Sequence, residues 1–121
     1  MSTYVREKVL RIPYEKTGLQ YRFTDPEAAR DYFEDNFAEL FDYGTVGKFQ
    51  FAPTESEFID YVVDYEYDAQ GEFGKVRELY QSEFNKAARL FAQIMPDAEF
   101  SAIRLVEFSW YNCSEAPDYY S

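Results

Sequence analysis

A chain of 121 residues that is 46% apolar and 29% charged has enough apolar surface for one hydrophobic core, which excludes the class of disordered acidic tails. Twenty-three Asp and Glu against twelve Lys and Arg leave a formal charge of −11, which argues against direct binding to nucleic acid. The chain has no histidine, so Ser-His-Asp and Cys-His catalysis, histidine-ligated zinc and a histidine pH switch are excluded.

The first element is a strand over residues 4–12, rich in β-branched and apolar positions and ended by Pro13. Gly18 breaks the chain, so Leu19 to Phe23 are expected to return as a second strand around a turn at Glu15 to Gly18. Thr24-Asp25-Pro26-Glu27 then starts a helix: Thr24 and Glu27 stand at capping-box spacing, and Pro26 suits a first turn whose donors have no partner. The helix is predicted to run to about Tyr43 and stop at Gly44, with Ala29, Phe33, Phe37, Leu40 and Phe41 on its inner face.

Lys48 to Ala52 reads as a short strand ended by Pro53. From Phe58 to Asp68 two readings compete. As a strand, Ile59, Tyr61, Val63, Tyr65 and Tyr67 alternate with Asp60, Val62, Asp64, Glu66 and Asp68; as a helix, the segment starts at Thr54 and Glu57 with Phe58, Ile59, Val62 and Val63 inward. The Tyr and Val content favours the strand. A second helix follows the 3.6-residue period through Val76, Leu79, Tyr80, Phe84, Ala87, Leu90, Phe91 and Ile94 until Pro96 forbids continuation. Residues 99–111 form a closing strand, and Asn112 to Ser121 an irregular tail. No repeat or linker divides the chain. The expectation is therefore one acidic α+β domain over residues 1–121, roughly ββαββαβ, with two helices packed on an antiparallel or mixed sheet of four to five strands.

The charge is localised. Residues 25–72 hold two basic and fourteen acidic residues, a sum of −12, whereas residues 1–24 sum to +3. Glu27, Asp31, Asp35, Glu39 and Asp42 recur at spacings of three or four, so on one helix they form a single acidic stripe relieved only by Arg30. Like charges so placed cost about 0.2 to 0.5 kcal/mol per pair. On the strand reading Asp60, Asp64, Glu66 and Asp68 share a face, at steps of about 6.6 Å or twice that; on the helix reading Glu57, Asp60, Asp64 and Asp68 do. Such rows beside exposed tyrosines present a field like that of a nucleic-acid backbone. The plainer reading is an acidic face that keeps an aromatic-rich domain soluble.

In the composition of these acidic rows the chain resembles small DNA-mimic proteins of phages and mobile elements, including anti-CRISPR and anti-restriction inhibitors. The resemblance implies an inhibitor or adaptor whose partner is a larger protein with a basic groove, such as a nucleic-acid-processing nuclease. The expected contact residues are Asp31, Asp35, Glu39, Asp42, Asp60, Asp64, Glu66 and Asp68 for charge, with Tyr61, Tyr65 and Tyr67 as anchors.

Other chemistry is weaker. Cys113 is the one cysteine; it excludes an intramolecular disulfide, fits a reducing cytoplasm, and lacks the histidine that would activate it as a nucleophile. Asp64 to Asp68 alternates carboxylates like the opening of a calcium loop, but Ala69 stands where glycine is needed and Lys75 where a bidentate glutamate is needed. No feature singles out a carboxylate pair for acid and base work, and the five glycines form neither a phosphate loop nor a dinucleotide fingerprint. No apolar run approaches the 20 or so residues that span a bilayer, and the N-terminal residues lack the pattern of a signal peptide. The expectation is a cytoplasmic binding protein, not an enzyme, with no cofactor, metal or membrane. The alternative is an assembly module that uses Trp110, Tyr111, Tyr119 and Tyr120 of the closing strand and tail.

Overall fold

The computed structural model of the chain describes residues 2–52, 57–67, 76–77 and 81–113. The N-terminal run of alternating residues forms β1, Ser2–Pro13, and lies at the centre of the sheet. Its two long neighbours, β3 at Phe58–Tyr67 and β5 at Arg104–Cys113, both pair with it antiparallel. The short strand β2, Phe49–Phe51, pairs with β3, and the two-residue β4, Val76–Arg77, pairs with β5, giving the order β2-β3-β1-β5-β4. Every ladder is antiparallel. The helices are α1, Pro26–Asn36, and α2, Gln81–Phe91.

Because side chains alternate along a strand and paired residues share a face, the register sorts the sheet into two sides. Leu10 and Ile12 of β1 share a side with Ile59 and Tyr61 of β3 and with Phe49 and Phe51 of β2. Both helices cover this side, bringing Ala29 and Phe33 from α1 and Ala87 and Phe91 from α2 into one core. The packing is largely aromatic. Phe41 lies 5.8 Å from Phe33 and 5.8 Å from Phe49, and Phe49 meets Phe91 edge-on at 5.3 Å. Each such ring contributes roughly 1.5–3 kcal/mol through burial alone. The opposite side carries Val5, Val9 and Val62, all buried, together with the polar groups described below.

The architecture is α+β with two helices on an antiparallel sheet, but the element order is βαβββαβ. The expected strand over Leu19 to Phe23 is absent; Tyr14–Lys16 and Leu19–Tyr21 are single 3₁₀ turns instead. Local hydrogen bonds win there. Gly18 takes a left-handed conformation with φ 82°, the Thr17 hydroxyl donates to the Tyr14 carbonyl at 2.6 Å and accepts from the Leu19 N–H at 3.1 Å, and the Tyr14 hydroxyl donates to the Phe23 carbonyl.

The N-cap of α1 is Asp25, whose carboxylate accepts the Glu27 N–H at 3.0 Å, so Thr24 is not the capping residue. The helix stops at Asn36, well short of Tyr43. Tertiary pairing ends it: Leu40 accepts the Phe49 N–H at 2.7 Å, Phe49 accepts the Asp42 N–H at 3.0 Å, and a parallel bridge ties Phe41 to Phe49. A continuous helix would hold Phe41 away from β2. Gly44 is accordingly not a helix stop but a turn residue with φ 65°.

Residues 58–67 are a strand, as the composition favours, with one irregularity. Lys8 stands opposite Asp64 but Val9 opposite Val62, so Val63 is an extra residue in a β-bulge. Val76 and Arg77 pair with Val106 and Leu105 and so join the sheet, not the second helix. Phe100–Ala102 form a 3₁₀ turn before β5, and β5 takes in Asn112 and Cys113, opposite Thr3 and Ser2. The rest of the expected tail, residues 114–121, lies outside the described residues.

Candidate functional site: an acidic helix face and its turn

The bulge decides where the carboxylates of β3 go. With one residue inserted, the parity of the strand reverses, so Asp60 falls on the side away from the helices while Asp64 and Glu66 fall on the helix side. The expected single row does not form. Asp68, its last member, lies outside the described residues.

Asp60 is fully buried and is not a contact residue. Arg11, opposite it on β1, grips it with two parallel bonds, Nε to Oδ1 at 2.7 Å and Nη2 to Oδ2 at 2.9 Å. The guanidinium in turn lies 4.8 Å from the centre of the Phe58 ring and 4.7 Å from that of Phe108. Gln50 completes the arrangement: its amide nitrogen donates to the buried Glu7 carboxylate at 2.9 Å and its oxygen accepts the Gly44 N–H at 2.9 Å. Burial pushes the Asp60 carboxyl above its ordinary value, against the opposing hydrogen bond and charge of Arg11 and a hydrogen bond from Gln50. This network takes Asp60, alone among the described members of the expected row, into the interior of the fold.

The other β3 residues divide. Tyr61 is half-buried and packs against the core, its ring 5.0 Å from Phe49. Tyr65 is half-buried against the backbone of Gly44. Tyr67 is 63% exposed. Glu66 pairs with Arg6 at 3.2 Å, and Asp64, opposite Lys8 in the register, accepts the Tyr65 N–H at 3.0 Å.

The acidic groups of α1 behave differently. Glu27, Asp31 and Asp35 follow one another along its exposed side. Glu39 and Asp42 are also exposed, but in the turns after the helix, so the expected single helical stripe is a helix row followed by a loop. Tyr43, in that loop, lies close enough to Arg30 and Glu34 of α1 for its hydroxyl to feel both. Burial, then the Glu34 charge, holds its hydroxyl above the usual tyrosine value, while Arg30 opposes them. The ring remains 47% exposed beside this acidic surface. Asp42 accepts the Thr45 hydroxyl at 2.7 Å, and Lys48 donates to the Glu39 backbone carbonyl. Sequence reasoning missed Tyr43; its signal was an aromatic residue between an acidic row and a turn glycine.

Among the described residues no group of three acidic or thiol side chains is placed to hold a metal ion, and no helix is long and apolar enough to cross a membrane. No protein-family model, curated protein or solved structure shows significant similarity to this chain.

Proposed function

We propose that the exposed side of α1 and the turns that follow it dock on a basic, nucleic-acid-tracking groove of a larger protein, as a non-catalytic inhibitor or adaptor of the DNA-mimic type. One observation carries the reading. Asp31, Asp35, Glu39 and Asp42 are all exposed along one helix side and the turns that follow it, where the chain from Asp25 to Lys48 supplies only two cations, Arg30 and Lys48. An excess of like charges on one surface raises the local potential and speeds the approach of an opposite one. The half-exposed Tyr43 ring supplies the apolar contact that charge alone lacks.

Asp64 and Glu66 take a smaller part, because Lys8 and Arg6 stand against them. The test is retention of nucleic-acid-binding proteins on the immobilised chain, compared with the variant Asp31→Lys, Asp35→Lys, Glu39→Lys, Asp42→Lys. Retention by the original chain should be lost in the variant and competed away by free duplex DNA, and association should slow by about tenfold or more between low and high salt. Equal retention by both chains, indifferent to DNA and salt, contradicts the proposal.

A further inference from the structure

The turn that leads into β2 carries two exposed groups of the docking surface, Asp42 and Tyr43, and beside them Val46, which is 56% exposed. Backbone bonds hold its two ends: the Asp42 N–H donates to the Phe49 carbonyl at 3.0 Å, and the Gly47 N–H to the Val62 carbonyl at 2.9 Å. A side chain holds its middle. The Gly44 N–H donates to Oε1 of Gln50 at 2.9 Å, and the Tyr65 ring packs against the same glycine. Gln50 itself is buried in β2 and reaches no solvent. Because a backbone N–H only donates, Gln50 must present its oxygen to Gly44, and its nitrogen is left to donate to the buried Glu7 carboxylate at 2.9 Å. The amide is thus anchored at both ends, between the central strand and the tip of the turn. Gly44 adopts φ 65°, and a glycine released from this bond has both halves of the backbone map open to it.

We infer that Gln50 is a positioning residue of the docking surface: out of reach of any partner, it fixes the middle of this turn so that Asp42, Tyr43 and Val46 meet the partner in one preset arrangement. The inference rests on the docking reading above. Side chains already held in their bound arrangement lose less freedom on association, and aromatic anchors so held carry a large share of the affinity of protein interfaces. Long-range attraction by Asp31 and Asp35 needs no such precision, because a field averages over small displacements of its charges. Loss of the Gln50 bond therefore falls on the short-range contacts of Tyr43 and Val46 and spares the attraction by charge. The partner surface that profits is one with an apolar or aromatic group set among its basic ones.

The experiment uses the full isotope-labelled chain with an all-arginine peptide and the same peptide carrying a central tryptophan. In Gln50→Met, which offers Gly44 no acceptor, the Gly44 amide should exchange with solvent about tenfold faster or more while the amides of β1 stay protected. This variant should bind the tryptophan peptide about fivefold to tenfold more weakly, and the all-arginine peptide no more than about twofold more weakly. Glu7→Gln with Gln50→Glu exchanges the two side-chain types at unchanged net charge and keeps a carboxylate oxygen facing Gly44, so it should restore both the slow exchange and the affinity. If Gln50→Met does not fold, Gln50→Lys gives the same reading at Gly44, since it can donate to Glu7 but cannot accept. Unchanged Gly44 exchange overturns the inference alone. So does faster exchange with unchanged affinity for the tryptophan peptide, when the variant with lysine at positions 31, 35, 39 and 42 loses that affinity. Peptide binding that survives in the four-lysine variant sinks the docking reading, and this inference with it.

Discussion

Replacing Arg11 by Met leaves the buried Asp60 carboxylate without the fork that holds it, and the expected loss of stability at neutral pH is about 3–5 kcal/mol. The pH dependence has a definite sign. Burial raises the Asp60 carboxyl above its unfolded value of 3.8, so the stability linked to its proton is complete below that pH and is lost as pH rises through the folded value. Removing Arg11 raises the folded value further. The deficit of Arg11→Met relative to the original chain should therefore shrink as urea denaturation is repeated from pH 7 down toward pH 4; a deficit constant over that range would refute this role. At Gly44, φ is 65° and a Cβ would sit 2.7 Å from Cε2 of Tyr65. Gly44→Ala should cost about 1–3 kcal/mol, and more than Gly47→Ala, where the backbone strain is similar but the nearest atom, the Tyr61 hydroxyl, is 3.9 Å away. Equal urea midpoints for the two variants would contradict the close packing of Tyr65 on the turn.

The elements were legible to different degrees, and the differences have physical causes. β1 and β3 follow from alternation, and the inner face of α1 from the spacing of Ala29 and Phe33. The helix start was legible to within one residue: Asp25, not Thr24, caps it. Asp25→Ala should lower stability by about 1 kcal/mol, whereas Thr24→Ala should stay within about 0.5 kcal/mol of the original in the same denaturation experiment. The end of α1 was not legible, because it is set by pairing with Phe49, a contact no local pattern records. The bulge left one trace, Val62 standing in an otherwise acidic row. That single residue marked the parity change that sends Asp60 inward and leaves Asp64 outside. Likewise the partnership of Arg11 with Asp60 spans 49 positions, beyond the reach of any spacing argument.

Across the whole molecule, the net charge of −11 does not lie where a count along the chain places it. Residues 25–72 sum to −12 in sequence, but folding brings Arg6, Lys8 and Arg11 of β1 alongside Glu66, Asp64 and Asp60 of β3. Among the described residues of this stretch, Glu27, Asp31 and Asp35 of α1 and Glu39 and Asp42 of the turns after it stay exposed, with none of them in an ion pair. The candidate site was thus half legible: four of its acidic residues were readable from spacing, while the division of the β3 residues required the register. This placement of charge can be measured on the free chain, by comparing the relaxation that cationic and anionic nitroxide probes induce at each backbone amide. A surface potential most negative over α1 and residues 37–42, and weaker over residues 63–66, is the expected result. A potential equally negative over both segments, or strongest along β3, would contradict the account.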